Sequence, residues 1–224
     1  RLEEQPVTVE IPNPVTGRRE AVDFGAPELA GAVRLLAYHA NSIAILPLLI
    51  DTAAEGDFEP LAAQFQMISA QMSDALALGM HNAVMCSEDA PFYASNDIDH
   101  NALEASYIGI VQLEAIETMC SLWPAGPVDD DFREPLDTAI PVLLLSGDAD
   151  PITPPRYASL AMVDLEHARH LIGEQQGHGQ AAVGCTPRLI GEFVASANPD
   201  DVDATCLERS FVMPFFLDFA GPAP

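Results

Sequence analysis

Two short segments carry the residue types of an acid–base relay. An apolar run at 140–145 leads into Ser146-Gly147-Asp148-Ala149-Asp150-Pro151, and a second run at 168–173 leads into Gln176-Gly177-His178-Gly179. An acid and a histidine thus lie just past the ends of two successive strand-like stretches. In an open α/β sheet the carboxyl edge of parallel strands is where ligands bind. Glycines on both sides of His178 permit a tight turn that projects the imidazole. A carboxylate that accepts from one ring nitrogen would hold its tautomer and stabilise the imidazolium. Asp148 competes with Asp150 for that part, and the Asp-Pro-x-Thr-Pro-Pro context favours Asp150. No G-x-S-x-G occurs in the chain. Ser146 and Cys185 are poor substitutes for a nucleophile. Ser146 sits in an ordinary strand terminus, and Cys185 is better explained by a disulfide.

The elements that must position these groups follow from periodicity. Residues 7–11 and 20–24 alternate around an Asn-Pro…Gly connection and predict a hairpin. Helical spacing begins at Pro27. Further helices are predicted over 46–55, 60–78 and 101–119, with a short strand at 82–86. The Pro-, Gly- and Asp-rich stretch 121–135 reads as a linker. It divides the chain into a helical region with its N-terminal hairpin (1–125) and a βαβα segment (126–224). In the second part the pattern is strand 140–145, helix 155–165, strand 168–173 and a helix through about 197. Thr186 is expected as the cap of that last helix, with Pro187 in its first turn.

Composition narrows the function classes. The 224 residues include 34 Asp and Glu against nine Arg and no Lys, a formal charge of −25. Such a surface repels phosphate backbones and anionic headgroups, so neither nucleic acid nor membrane is expected as a partner. The absence of Lys removes Schiff-base and Walker-type chemistry. With 49% hydrophobic residues the chain can build a core despite its charge. It begins at Arg1 with no leader-like stretch behind it, which reads as a processed or truncated chain.

Cys86, Cys120, Cys185 and Cys206 form no C-x-x-C motif. One pair in each half favours Cys86–Cys120 and Cys185–Cys206, although three pairings are possible. Bridges would imply a secreted or periplasmic setting. His167 and His170 lack a third ligand nearby. Asp129–Asp131 lack the alternating spacing of a calcium loop. Neither a metal nor an organic cofactor is expected.

The combination PVLLLSGDADPITPP, QQGHG, CTP…F and a late Cys before PF resembles the C-terminal part of tripeptidyl-aminopeptidase-like or proline iminopeptidase-like α/β-hydrolases. GM…AVMCSEDAPF and the Cys120–Pro124 stretch add to the likeness, which covers nearly the whole chain. The resemblance implies a partial α/β-hydrolase fold with a mostly helical lid ahead of the acid and base. It makes Asp150 the triad acid and His178 the base. It also matches the four cysteines to positions where this family commonly has disulfides. The nucleophile elbow and the Gly-Gly-Pro-Gly-type oxyanion segment of that family are missing. The serine and at least five strands would therefore lie elsewhere, on the N-terminal half or in a separate chain. The two strands would leave an exposed edge for that half or for self-association. Related aminopeptidases hold the substrate's free amino group with a lid glutamate. That likeness points to Glu88, with Asp89 beside it, and to a peptide substrate; the alternatives are an ester or amide substrate of the same fold, and a noncatalytic binding module. The competing reading makes Ser87, Glu88 and Asp89 a turn or helix cap.

Overall fold

The computed structural model describes residues 2, 4–13, 15–93 and 98–222. It resolves into two compact units: residues 1–35 with 52–133, and residues 36–51 with 134–224.

The first unit starts with the expected hairpin. Strands β1 (Val7–Pro12) and β2 (Arg19–Phe24) pair antiparallel, with Val7 opposite Phe24 and Ile11 opposite Glu20. The alternating pattern turns Ile11 and Phe24 inward, where both are buried. Helix α1 (Ala26–Leu36) and, after α2 (Ala40–Ile43) and α3 (Leu46–Ala54) in chain order, helix α4 (Glu59–Ala75) follow, and α1 and α4 complete the packing. Phe24 lies against the rings of Phe58 and Phe65. Gly31 lets α1 come close to Phe65, since a β-carbon there would stand 2.7 Å from the ring.

Two expectations fail in this unit. The stretch 82–86 is helical: α5 (Leu78–Val84) runs straight into a π-helical turn, Met85–Asp89. The Cys86–Cys120 bridge ties that turn to α7 (Val111–Leu122). A short apolar run cannot by itself separate strand from buried helix, and here the tertiary tie favours helix. The single helix expected over 101–119 is also broken. α6 (His100–Glu104) stops early, Gly109 adopts φ 64°, and α7 begins at Val111. The periodic stripe continues across a left-handed residue that the helix cannot accommodate.

The second unit is built on the βαβα order. Strand β3 (Val142–Gly147), helix α8 (Pro155–Ala161), strand β4 (Ala168–Gly173) and helix α9 (Thr186–Ser196) follow in turn. The strands pair parallel, Leu145 opposite Leu171 and Gly147 opposite Gly173. Leu143, Leu145 and Leu171 share one face and pack with Leu189 and Phe193 of α9, Val202 and Leu207. The Cys185–Cys206 bridge closes this core. Helix α8 ends at Ala161, short of the expected 165, and Leu165 instead forms an isolated parallel bridge with Thr138. Cys185, not Thr186, occupies the cap of α9, so Thr186 and Pro187 are its first two residues. The chain is thus a partial α/β fold, a mainly helical part followed by a βαβα segment.

Candidate active site

The end of β3 and the loop after β4 interlock at glycines. A β-carbon on Gly147 would lie 2.1 Å from the Gln176 carbonyl oxygen and 2.3 Å from that of Gly177. The bare backbone lets the two loops cross, and the Ala149 amide donates to the Gln176 carbonyl at 3.0 Å. Asp148 accepts the backbone N–H of Gln175, which holds φ 55°. Gly177 in turn lies against the Tyr38 carbonyl, which also accepts the His178 amide at 2.6 Å.

This scaffold brings Asp150 and His178 together. Asp150 Oδ2 is 2.9 Å from His178 Nδ1. The other carboxylate oxygen accepts the Ile152 and Thr153 amides at 2.8 and 2.9 Å. The Thr153 hydroxyl donates to Oδ2 at 2.8 Å and stands 3.1 Å from His178 Nδ1. The Asp150 side chain is almost fully buried (3% exposed), whereas that of His178 is 38% exposed. Burial alone would disfavour the carboxylate. The amides of Thr153 and Ile152, the Thr153 hydroxyl and His178 outweigh it and hold Asp150 below the usual aspartate value. An ionised Asp150 accepts from Nδ1–H, which leaves His178 Nε2 as the ring's proton acceptor. The Tyr38 ring lies 5.5 Å from the imidazole, centroid to centroid. A cavity of about 140 Å³ beside His178 is lined in part by His39, Asn41, Gln176 and Gln180.

Sequence reasoning overlooked Thr153 and Tyr38 as partners of the pair. Thr153 was visible as part of Asp-Pro-x-Thr-Pro-Pro. Tyr38 carries no such signal, because it contributes a backbone oxygen from a distant stretch of chain.

Glu88 and Asp89 belong to the first unit and sit in the π-helical turn, not after a strand. Ser87 Oγ beside them accepts the Gly126 amide at 2.7 Å. That bond joins the turn to the segment after α7. No group of His, Cys, Asp and Glu among the described residues could hold a metal ion. His170 stands on β4 opposite Leu144, and its Nε2 is buried without a partner. Both disulfides are formed, which fits an oxidising, non-cytosolic compartment. Among the described residues no helix is long and apolar enough to cross a membrane.

Comparison with curated proteins and with solved structures found no match. A family model does match: residues 105–206 fit the TAP-like protein family of α/β-hydrolases. The matched stretch contains β3, β4 and both members of the Asp150–His178 pair, and the match supports the C-terminal part of a TAP-like α/β-hydrolase over these residues.

Proposed function

We propose that the chain is the acid-and-base portion of a secreted serine peptidase that acts on peptides with free N-termini. The observation that carries this reading is the 2.9 Å contact between a buried, ionised Asp150 and Nδ1 of a half-exposed His178. In the proposed reaction a serine hydroxyl loses its proton to His178 Nε2 as its oxygen attacks the scissile carbonyl. The imidazolium then gives that proton to the leaving amine, and water repeats the cycle on the acyl-enzyme. Asp150 stays ionised and orients the ring. Thr153 anchors the carboxylate.

The serine lies outside these residues, since no G-x-S-x-G is present. The two-stranded parallel sheet supports a partner segment. Parallel sheets are ordinarily covered on both faces, yet Ile172 on β4 is 41% exposed. An N-terminal half of the same hydrolase is proposed to continue that sheet and supply the nucleophile and oxyanion donors. A peptide amino group is proposed to pair with Glu88, assisted by Asp89. An internal peptide would leave those carboxylates unpaired, so exopeptidase action would be favoured.

The test joins the chain to its upstream coding region and compares free with N-acetylated peptide substrates. Hydrolysis is expected to require the free amine, to lose that preference in Glu88→Ala and to vanish in His178→Ala. Equal rates on both substrates in the unaltered protein would refute the amino clamp. Activity in His178→Ala would refute the base assignment.

A further inference from the structure

We propose that a cavity of about 420 Å³ behind His178 takes the C-terminal carboxylate of a short peptide. This deepens the peptidase reading and rests on it for the direction of the peptide. The cavity shares Asn41, Gln176, Gln180 and Val183 with the smaller one that contains His178. The two therefore adjoin across those residues.

Three features make its far end suited to an anion. First, Arg209 lines it, and no Asp or Glu side chain does, in a chain with 34 carboxylates. Arg209 forms no ion pair among the described residues. Second, the amino end of α9, an 11-residue helix, opens onto the space through Gly184, Cys185 and Thr186. Its first amides and the helix dipole favour negative charge there. Third, the wall holds polar side chains that the protein leaves underused. Thr186 is only 2% exposed, lines the cavity, and its hydroxyl makes no hydrogen bond among the described residues. Gln176, 5% exposed, reaches only the carbonyls of Glu174 and Phe211, each at a long 3.4 Å. Buried polar groups of this kind ordinarily have better partners.

The chemistry of His178 says which anion. A general base that becomes the general acid delivers its proton to the leaving amine. The departing peptide must therefore lie against His178, and the cavity adjoining the imidazole's own is the space assigned to it. When that peptide is short, its far end carries a carboxylate, and Arg209 is placed to receive it.

The experiment titrates the isotope-labelled 224-residue chain with N-acetyl-Ala-Ala as the free acid, with its C-terminal amide, and with inorganic phosphate. The readout is the backbone amide signals of Gly184, Thr186 and Ser210. Saturable shifts are expected with the acid, and Arg209→Gln should weaken binding about tenfold, as for loss of a charge-assisted contact. Thr186→Val should weaken it about threefold, the hydroxyl being neutral. Equal binding of the amide, tighter binding of phosphate than of the acid, or no shift at these residues would each overturn the proposal. No turnover is read, so a negative titration leaves the peptidase reading standing.

Discussion

Replacing Asp150 separates its structural part from its chemical one. The carboxylate accepts four hydrogen bonds: two backbone amides, the Thr153 hydroxyl and His178 Nδ1. Asp150→Ala leaves the Ile152 and Thr153 amides without an acceptor. Each buried N–H stranded in this way costs about 1–3 kcal/mol. Water can serve the half-exposed His178, so the loss should total about 2–6 kcal/mol. Asp150→Asn keeps one oxygen for the two amides and should cost about 1 kcal/mol. It also turns an –NH₂ group toward His178 Nδ1. That nitrogen must then become an acceptor, which moves the ring proton to Nε2 and abolishes its basicity toward a serine. Chemical denaturation followed by circular dichroism measures the first effect, and ¹⁵N spectra of the imidazole measure the second. The unaltered chain should show Nδ1–H in its neutral form and Asp150→Asn should show Nε2–H. Equal stability of the Ala and Asn variants, or an unchanged tautomer in Asp150→Asn, would refute the reasoning.

Other outcomes follow from the same geometry. Asp150 titrates below its ordinary value in the fold. Its stabilisation is therefore complete above about pH 3.9 and is lost as the pH falls through its lower folded value, a loss that Asp150→Asn should remove from the acid-unfolding curve. Burial holds His170 toward its neutral form, so stability should fall as the pH drops below about 6.5, and His170→Leu should flatten that part of the profile. Gly147→Ala should destabilise the second unit by about 3 kcal/mol or more, because its β-carbon meets backbone oxygens that cannot yield without moving the His178 loop; denaturant unfolding checks this. Removing the Cys185–Cys206 bridge by paired Ser substitutions should cost about 3 kcal/mol for the loop it closes, read from the same curves.

The parts legible in the sequence were those with local signatures. The hairpin announced itself by alternation around a turn, and the βαβα order by apolar runs separated by helical spacing. Asp150 and His178 stood out because each follows a strand-like run with turn residues around it. What failed depended on distant contacts or single backbone angles. Residues 82–86 read as a strand because the four apolar residues after Asn82 have no period of their own. The bridge from Cys86 to Cys120 is what places them in a helical turn. The break at Gly109 hides inside an unbroken apolar stripe. Tyr38 seats the His178 loop through a carbonyl, and a main-chain oxygen has no residue signature. Thr153 was in view, but its position between acid and base emerges only when the turn after Asp150 closes on itself.

The central claim is that Asp150 and His178 serve a serine contributed from outside these residues. Fluorophosphonate labelling tests it most directly. The 224-residue chain alone should take up no label. Joined to its upstream coding region, it should label on a serine of that region, and His178→Ala should suppress the reaction. Labelling of the isolated chain, or labelling of the completed protein that ignores His178→Ala, would contradict the account.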